Sequence, residues 1–325
     1  MWTEPLRRNT ACLGIAPLLA FLVVVGVDAG AAPITFGLIG DFGSGSTEES
    51  AVASKLKSFA PQFVLTLGDN NYLTGSVADM DRAIGRDYHT FIKYPTNSTS
   101  AYGNQGASQI NFYPVVGNHD WDAGIASHSS YYTFPKANTR YYDVVRGPVH
   151  FFLLDSDPRE PDGISATSKQ ALWLKSAMAQ SSATWKLVLT HHPPYASDGA
   201  SATMRWPFAQ WGATAVLSGH AHLYEQGSVG ALNYFVNGLG GEDIHAGATP
   251  IATTRMLFDG DYGFMLASAD DSSLRLRFIT RTGQVIDSVE WQRGTLVPAV
   301  PEASIPLLLL APAFFAMKRP ARRAA

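Results

Sequence analysis

Residues 63–72 read FVLTLGDNNY, an apolar run that ends at a glycine, a carboxylate, two amides and a tyrosine. Short apolar runs of this kind are typical of buried β-strands. Residues 35–41 repeat the pattern, because an apolar run there also ends at a Gly-Asp pair. Between the two runs, Ser46 and Glu49 form a capping box that predicts the start of a helix. The result is a strand–helix–strand unit, which favours parallel pairing.

The same pattern recurs further along the chain. Apolar strands that deliver a polar residue at their carboxyl end are predicted at residues 111–116, 149–154, 186–189 and 214–217, with a helix at 168–178. After Tyr224 the pattern changes to antiparallel strands, predicted at residues 233–236, 263–268, 274–280 and 284–291. Sites in open α/β sheets form just beyond the carboxyl ends of the strands. The sequence therefore predicts a mixed α/β domain with a site at that edge.

Five short polar clusters stand behind predicted strands. They are GDFG at 40–43, GDNNY at 68–72, GNHD at 117–120, VLTH at 188–191 and GHAH at 219–222. Each cluster by itself is weak evidence, since a Gly-Asp pair is usually a turn and a single histidine is usually structural. Five such clusters in one chain, each at a predicted strand end, are very improbable by chance.

The residue types in these clusters suit two adjacent metal ions. Hard cations prefer oxygen and imidazole ligands, and a shared carboxylate holds two of them about 3.5–4 Å apart. His220 and His222 alternate in sequence, so in a strand both would face one side. The only cysteine, Cys12, lies near the N-terminus, so thiolate ligands are excluded from the rest of the chain.

These clusters resemble the signature of the calcineurin-like metallophosphoesterases. Tyr72, three residues after Asp69, makes them similar to the purple acid phosphatase branch, which includes the tartrate-resistant acid phosphatases. The resemblance covers residues 34–241. It implies an α/β fold of four layers, with a central β-sandwich of mixed sheets flanked by helices. It also implies that the chain hydrolyses phosphate esters.

The resemblance implies a binuclear centre of Fe(III) and a divalent ion, which is iron, zinc or manganese. The ferric ion would bind Asp41, Asp69, Tyr72 and His222, and the divalent ion would bind Asn118, His191 and His220, with Asp69 as the bridge. For Tyr72 there is an alternative interpretation, in which its ring is a wedge beneath a pair of divalent ions.

The resemblance also implies a mechanism in which a hydroxide formed from metal-bound water attacks the phosphorus atom. His119 is then the predicted acid that protonates the leaving group and contacts the phosphate. Asp120 is predicted to orient His119, with a helix cap or loop role as the alternative. His192 is predicted to contact the substrate phosphate or to support a ligand. The other histidines, including His245, match no cluster and are interpreted as structural or surface residues.

Both ends of the chain differ from its middle. Residues 1–31 contain two arginines, an apolar stretch and a small-residue cleavage site, which predict a signal peptide. The phosphoesterase domain is predicted at residues 32–294. Residues 295–325 contain a linker, an apolar run and a basic end, which resemble a PEP-CTERM sorting signal; a tail anchor is the alternative. We therefore expect an exported protein, periplasmic, cell-surface or secreted, whose tail engages the membrane or a sorting machinery.

The net charge limits the partners. Residues 32–296 carry 18 basic and 24 acidic side chains, a net charge of −6. Nucleic acid is therefore excluded as a general partner. The leading hypothesis is a small-molecule phosphomonoesterase. A phosphodiesterase acting on nucleotides or lipid head groups is the second hypothesis, and it would need a wider pocket near residues 72–82 or 196–206. The third is a non-catalytic surface protein that binds exopolysaccharide and holds structural metals.

Overall fold

The structure is a computed structural model that describes Met1, residues 33–292 and the backbone of Thr295–Pro298. The predicted signal peptide beyond Met1 and the C-terminal segment after Pro298 lie outside the described residues, so both stay predictions. Across the described ranges, no helix is both long enough and apolar enough to cross a membrane.

The described residues form fourteen strands in two sheets. In chain order they are β1 Ile34–Ile39, β2 Phe63–Thr66, β3 Phe112–Tyr113, β4 Tyr142–Arg146, β5 Val149–Leu153, β6 Trp185–Thr190, β7 Ala215–Ser218, β8 Tyr224–Val229, β9 Leu232–Asn237, β10 Thr254–Phe258, β11 Gly263–Ala269, β12 Ser273–Thr280, β13 Val285–Gln292 and β14 Thr295–Pro298.

The helices are short and lie in the connections. They are α1 Thr47–Ser58, α2 Val77–Met80, α3 Arg86–Tyr88, α4 Asn118–Tyr131, α5 Lys169–Gln180 and α6 Phe208–Trp211. A π-helical segment, Asp81–Gly85, joins α2 to α3, and 3₁₀ turns occur at Gly103–Gln105 and Ala202–Met204. The predicted start of α1 is confirmed, because the Ser46 hydroxyl oxygen accepts a hydrogen bond from the Glu49 N–H at 3.0 Å.

Each sheet combines a parallel half with an antiparallel half. The first sheet has the order β14-β13-β12-β11-β1-β2-β3, in which β1, β2 and β3 are parallel. The second has the order β10-β8-β9-β7-β6-β5-β4, in which β5, β6, β7 and β9 are parallel. The carboxyl ends of each parallel set meet at one edge, and those ends carry the polar clusters.

An apolar core joins the inner faces of the two sheets. Phe36 of β1 packs edge-on against Phe151 of β5 with ring centroids 5.0 Å apart, and Phe63 of β2 lies 5.8 Å from Phe151. All three side chains are fully buried, so they hold one sheet against the other. The outer faces are covered by helices: α1 packs on the first sheet through Leu56, and α5 packs on the second through Leu174. The predicted four-layer fold is confirmed.

Several predicted boundaries differ from the structure. The strand predicted at residues 111–116 is only β3, because Pro114 lacks the N–H that a continuing ladder needs. Next to it, the Val115 N–H donates to the side-chain hydroxyl of Thr66 in β2 at 2.9 Å instead of to a backbone carbonyl of that strand. Strands β4, β8 and β10 were not predicted. Residues 295–298, predicted as linker, pair with β13 as β14 and extend the first sheet.

Candidate metal centre

The backbone is strained at three of the predicted metal ligands. Among the described residues, four that are not glycine have a positive φ, and three of them are Asp41 (54°), Asp69 (50°) and His220 (69°). Left-handed conformations cost side-chain-bearing residues about 1–3 kcal/mol each, so they persist where the surrounding structure enforces them, often at functional sites. The strain therefore marks the edge of the sheets where these side chains converge.

The first group of converging donors consists of Asp41, Tyr72 and His222. Asp41 follows β1, Tyr72 lies in the loop after β2, and His222 lies between β7 and β8. The Tyr72 hydroxyl is 3.2 Å from Asp41 Oδ1 and 3.2 Å from His222 Nε2, and that Nε2 is 3.4 Å from Asp41 Oδ1. One cation can therefore contact all three atoms.

The second group contains Asn118 and His191, and Asp69 lies next to it. His191 Nε2 lies 3.0 Å from Asn118 Oδ1 and 3.3 Å from Asp69 Oδ2. Ligand atoms of Asp41, Asp69 and His191 all lie within 4.8 Å of one another. Asp69 thus stands between the two groups, which is the position that the predicted bridging carboxylate requires.

His220 and His192 complete the second group. Their ligand atoms and that of His191 lie within 4.8 Å of one another. The strand argument for His220 and His222 is wrong, because both lie in the loop between β7 and β8. They still converge, because the left-handed turn at His220 sends its N–H to Asp41 Oδ2 at 2.8 Å. His192 is positioned by Ser156, whose hydroxyl lies 2.9 Å from its Nδ1.

Two of the imidazoles are oriented by backbone carbonyls. His191 Nδ1 donates to the carbonyl of Leu67 at 2.9 Å, and His222 Nδ1 donates to the carbonyl of Asp243 at 2.6 Å. Because the proton is on Nδ1 in each ring, Nε2 offers its lone pair to the site. Metal-binding histidines are held by this kind of contact, so the donor set fits a pair of cations.

The pKa values in the site reflect its negative charge. Burial lowers the pKa of His191, but the Asp69 and Asp41 carboxylates and the bond to the Leu67 carbonyl together outweigh burial and raise it to about 10. Burial also lowers the pKa of His222, but the Asp41 and Asp69 carboxylates and the bond to the Asp243 carbonyl together raise it to about 9. Burial and His191 lower the pKa of His220 to about 4. The carboxylates thus attract positive charge strongly, and a bound metal would displace the Nε2 protons that His191 and His222 otherwise retain.

Two glycines let the ligands approach one another. A Cβ atom at Gly219 would lie 2.5 Å from Asp41 Oδ2, and one at Gly117 would overlap the carboxylate and backbone nitrogen of Asp69. Both positions therefore exclude any side chain while the ligands keep these places.

His119 lies at the open side of the site. Its side chain is 42% exposed, and its ring centroid is 4.3 Å from that of Tyr72. Its Nδ1 is 3.9 Å from Asp122 Oδ2. The ring therefore stands beside a predicted ligand and remains accessible to a substrate.

The prediction that Asp120 orients His119 is wrong, and the cap alternative is confirmed. Asp120 is buried, and its Oδ2 accepts hydrogen bonds from the Gly117 N–H at 2.8 Å and the Asn70 side-chain amide at 2.7 Å. Its Oδ1 faces His128 at 3.7 Å. Asp120 thus caps α4 and supports the segment next to Asp69.

Two further contacts at the site were missed from the sequence. His245, interpreted as structural or surface, stacks on His222 with ring centroids 4.2 Å apart. Its Nδ1 lies 3.1 Å from Asp198 Oδ2 in the loop after β6. Asp122, which faces His119, was not singled out either, although residues three apart on a helix are neighbours.

Carboxylate, amide, phenol and imidazole donors gathered at the carboxyl ends of parallel strands define a metal-dependent hydrolase site of the two-cation kind. The sequence model of the calcineurin-like phosphoesterase family matches residues 34–224, more than half of the chain. The chain therefore belongs to the calcineurin-like phosphoesterase family and is a phosphate ester hydrolase.

Individual proteins are similar to this chain in sequence or in fold. Tartrate-resistant acid phosphatase type 5 of Homo sapiens is 25% identical over 266 residues, covering 69% of this chain and 78% of the human protein. The purple acid phosphatase PPD1 of yellow lupin shares the fold, with a TM-score of 0.62 and 17% identity over 84% of this chain and 57% of that one. GAP50, the anchor in the inner membrane complex of Plasmodium, shares the fold with a TM-score of 0.61 and 15% identity. The match covers 80% of this chain and 89% of GAP50.

Proposed function

We propose that this phosphoesterase hydrolyses small phosphate monoesters with a centre of the purple acid phosphatase kind, containing Fe(III) and a divalent iron, zinc or manganese ion. The observation that carries the proposal is the position of the Tyr72 hydroxyl, 3.2 Å from both Asp41 Oδ1 and His222 Nε2. A phenol oxygen among a carboxylate and an imidazole suits a hard trivalent ion.

The ligand groups divide between the two ions. Asp41, Tyr72 and His222 would hold the ferric ion, Asn118, His191 and His220 would hold the divalent ion, and Asp69 would join them. When bound, the two metals would activate water and offset negative charge on the phosphate oxygens. Burial and the Asp41 and Asp69 carboxylates raise the pKa of Tyr72 well above its usual range, so its ionisation requires the charge of a metal.

The protein's own acid in this proposal is His119. The departing alkoxide needs a proton, and an exposed imidazole beside the ferric ligands is placed to supply it to the ester oxygen. His192 lies against His220 with ring centroids 4.3 Å apart, and its burial and neighbouring histidines lower its pKa to about 2. A neutral His192 is suited to supporting the ligands and less suited to binding the phosphate charge.

The phosphodiesterase alternative would need a wider pocket at the metal centre, near residues 72–82 or 196–206. A cavity of about 350 Å³ is lined by Gly75, Val77 and Met80, on the segment after Tyr72, and by hydroxyl groups such as that of Ser127. Its lining includes neither a predicted metal ligand nor His119, so the cavity gives no support for a second ester substituent at the metal centre.

Turnover of a matched pair of substrates tests the proposal. The purified, metal-loaded protein should hydrolyse an aryl phosphate monoester at least about tenfold faster than the corresponding diaryl diester, a difference of about 1.4 kcal/mol in the barrier. Faster hydrolysis of the diester would replace the proposal with the phosphodiesterase. A folded, metal-loaded protein that hydrolyses neither ester would contradict both.

A further inference from the structure

A loop after β5 crosses to the first turn of α4, which carries Asn118 and His119. The Asp155 carboxylate accepts a hydrogen bond from the indole N–H of Trp121 at 3.0 Å. Arg159 Nη2 donates to the backbone carbonyl of Asn118 at 3.0 Å. Two residues of this loop therefore bind the turn that carries a predicted ligand and the predicted acid.

The Arg159 guanidinium is itself held in one orientation. Its Nε donates to Asp157 Oδ1 at 2.7 Å, and its Nη2 donates to Asp157 Oδ2 at 2.8 Å. Asp157 is buried, with only 2% of its surface exposed, so the two bonds hold the Arg159 guanidinium against the protein interior. Because the guanidinium is planar and rigid, the direction of its remaining N–H groups is fixed as well.

One of those N–H groups orients Asp122. Arg159 Nη1 donates to Asp122 Oδ1 at 2.6 Å, and the other oxygen, Oδ2, lies 3.9 Å from His119 Nδ1. The Asp122 side chain is 57% exposed, and among the described residues the bond from Arg159 is the one hydrogen bond that its carboxylate accepts. With Tyr72 on its other side, His119 stands between a ring and an oriented carboxylate.

We propose that Arg159 is a positioning residue for the leaving-group step. Through Asp122 it orients the His119 ring, and through the Asn118 carbonyl it fixes the turn on which His119 and the Asn118 ligand lie. This inference rests on the proposed function, in which His119 protonates the leaving oxygen. A merely structural role for Arg159 would hold the loop in place without affecting that proton transfer.

Two monoesters that differ in their leaving group distinguish the two roles. An alkyl phosphate needs the proton far more than an aryl phosphate, whose phenolate leaves readily. We expect Arg159→Ala and Asp122→Asn to lower turnover of the alkyl phosphate by about 10–100-fold, as residues that orient a functional group typically do. Turnover of the aryl phosphate should fall much less, so the ratio of alkyl to aryl turnover falls.

Arg281→Ala is the matched control. Arg281 also bonds two carboxylates, Asp261 at 2.7 Å and Glu48 at 3.5 Å, and lies over the ring of Tyr262, but it does not contact α4. This variant should keep the wild-type ratio. Arg159→Lys keeps the positive charge but lacks the planar guanidinium group. This variant should give an intermediate ratio of alkyl to aryl turnover. An unchanged ratio in folded, metal-loaded Arg159→Ala and Asp122→Asn proteins would overturn the inference.

A second measurement does not depend on turnover. In the zinc-loaded protein, the NMR resonances of the His119 ring should shift in Arg159→Ala and Asp122→Asn, and should stay unchanged in Arg281→Ala. If the wild-type protein hydrolyses neither ester, the proposed function fails, and these resonances still decide whether Arg159 positions His119. Resonances that do not move in either variant would contradict the positioning role.

Discussion

Asp69→Ala should lose both metals and nearly all activity. Asp69 stands between the two donor groups, 3.3 Å from His191 Nε2 through Oδ2, and its Oδ1 accepts the His119 N–H at 2.9 Å. Metal ions contribute several kcal/mol of transition-state stabilisation, so we expect turnover to fall by at least about 1,000-fold. Metal content should fall from about two ions per chain toward none, as measured by elemental analysis.

The control for this prediction is Asp287→Ala. Asp287 is also a hydrogen-bond acceptor, from the Tyr224 hydroxyl at 2.8 Å, but it lies on β13 and belongs to neither donor group. That variant should keep both metals and its activity. If Asp69→Ala still bound two metal ions, Asp69 would not be the bridge and the division of ligands would be wrong.

His119→Ala should lose turnover while keeping its metals. General acid catalysis typically contributes 10²–10⁴-fold, so we expect a loss of about that size with an alkyl phosphate. The loss should be smaller with an aryl phosphate, because that leaving group depends less on protonation. Metal content should be unchanged, since the His119 side chain lies beside Tyr72 and outside both donor groups.

His89→Ala is the control for the His119 variant. His89 also lies against a tyrosine ring, that of Tyr102 with ring centroids 4.8 Å apart, but it is the residue that directly follows α3. This variant should retain wild-type turnover. Nearly intact activity in His119→Ala would show that another group protonates the leaving oxygen.

The convergence of the predicted ligands was foreseeable from the sequence because most of them follow strand ends. Asp41 and Asp69 follow apolar runs that become the parallel strands β1 and β2, and parallel strands bring their carboxyl ends to one edge. The convergence of His220 and His222 was predicted for the wrong reason. A left-handed φ at His220, in a loop, directs the two side chains, rather than the alternation of a strand. The residue types around His220 do not show that it adopts this conformation.

The partners of His119 show where sequence reasoning failed. Asp120 is adjacent to His119 in sequence, but the side chains of successive residues in a helix point about 100° apart. Asp120 therefore points inward and caps α4, whereas Asp122 faces His119. The i, i+3 spacing was available as a signal. Arg159 was not predictable, because it reaches α4 from a loop 41 residues away. The stacking of His245 on His222 likewise depends on how two loops meet.

In the proposed two-metal centre, Tyr72 completes the ferric site, and the visible absorption spectrum tests this ligand most directly. The purified protein, oxidised and loaded with iron, should show a strong tyrosinate-to-iron charge-transfer band. Tyr72→Phe should lose that band while it keeps two metal ions per chain. A colourless wild-type protein that binds two metals and hydrolyses phosphate esters would contradict the claim, because Tyr72 would then lie beside a pair of divalent ions without binding either.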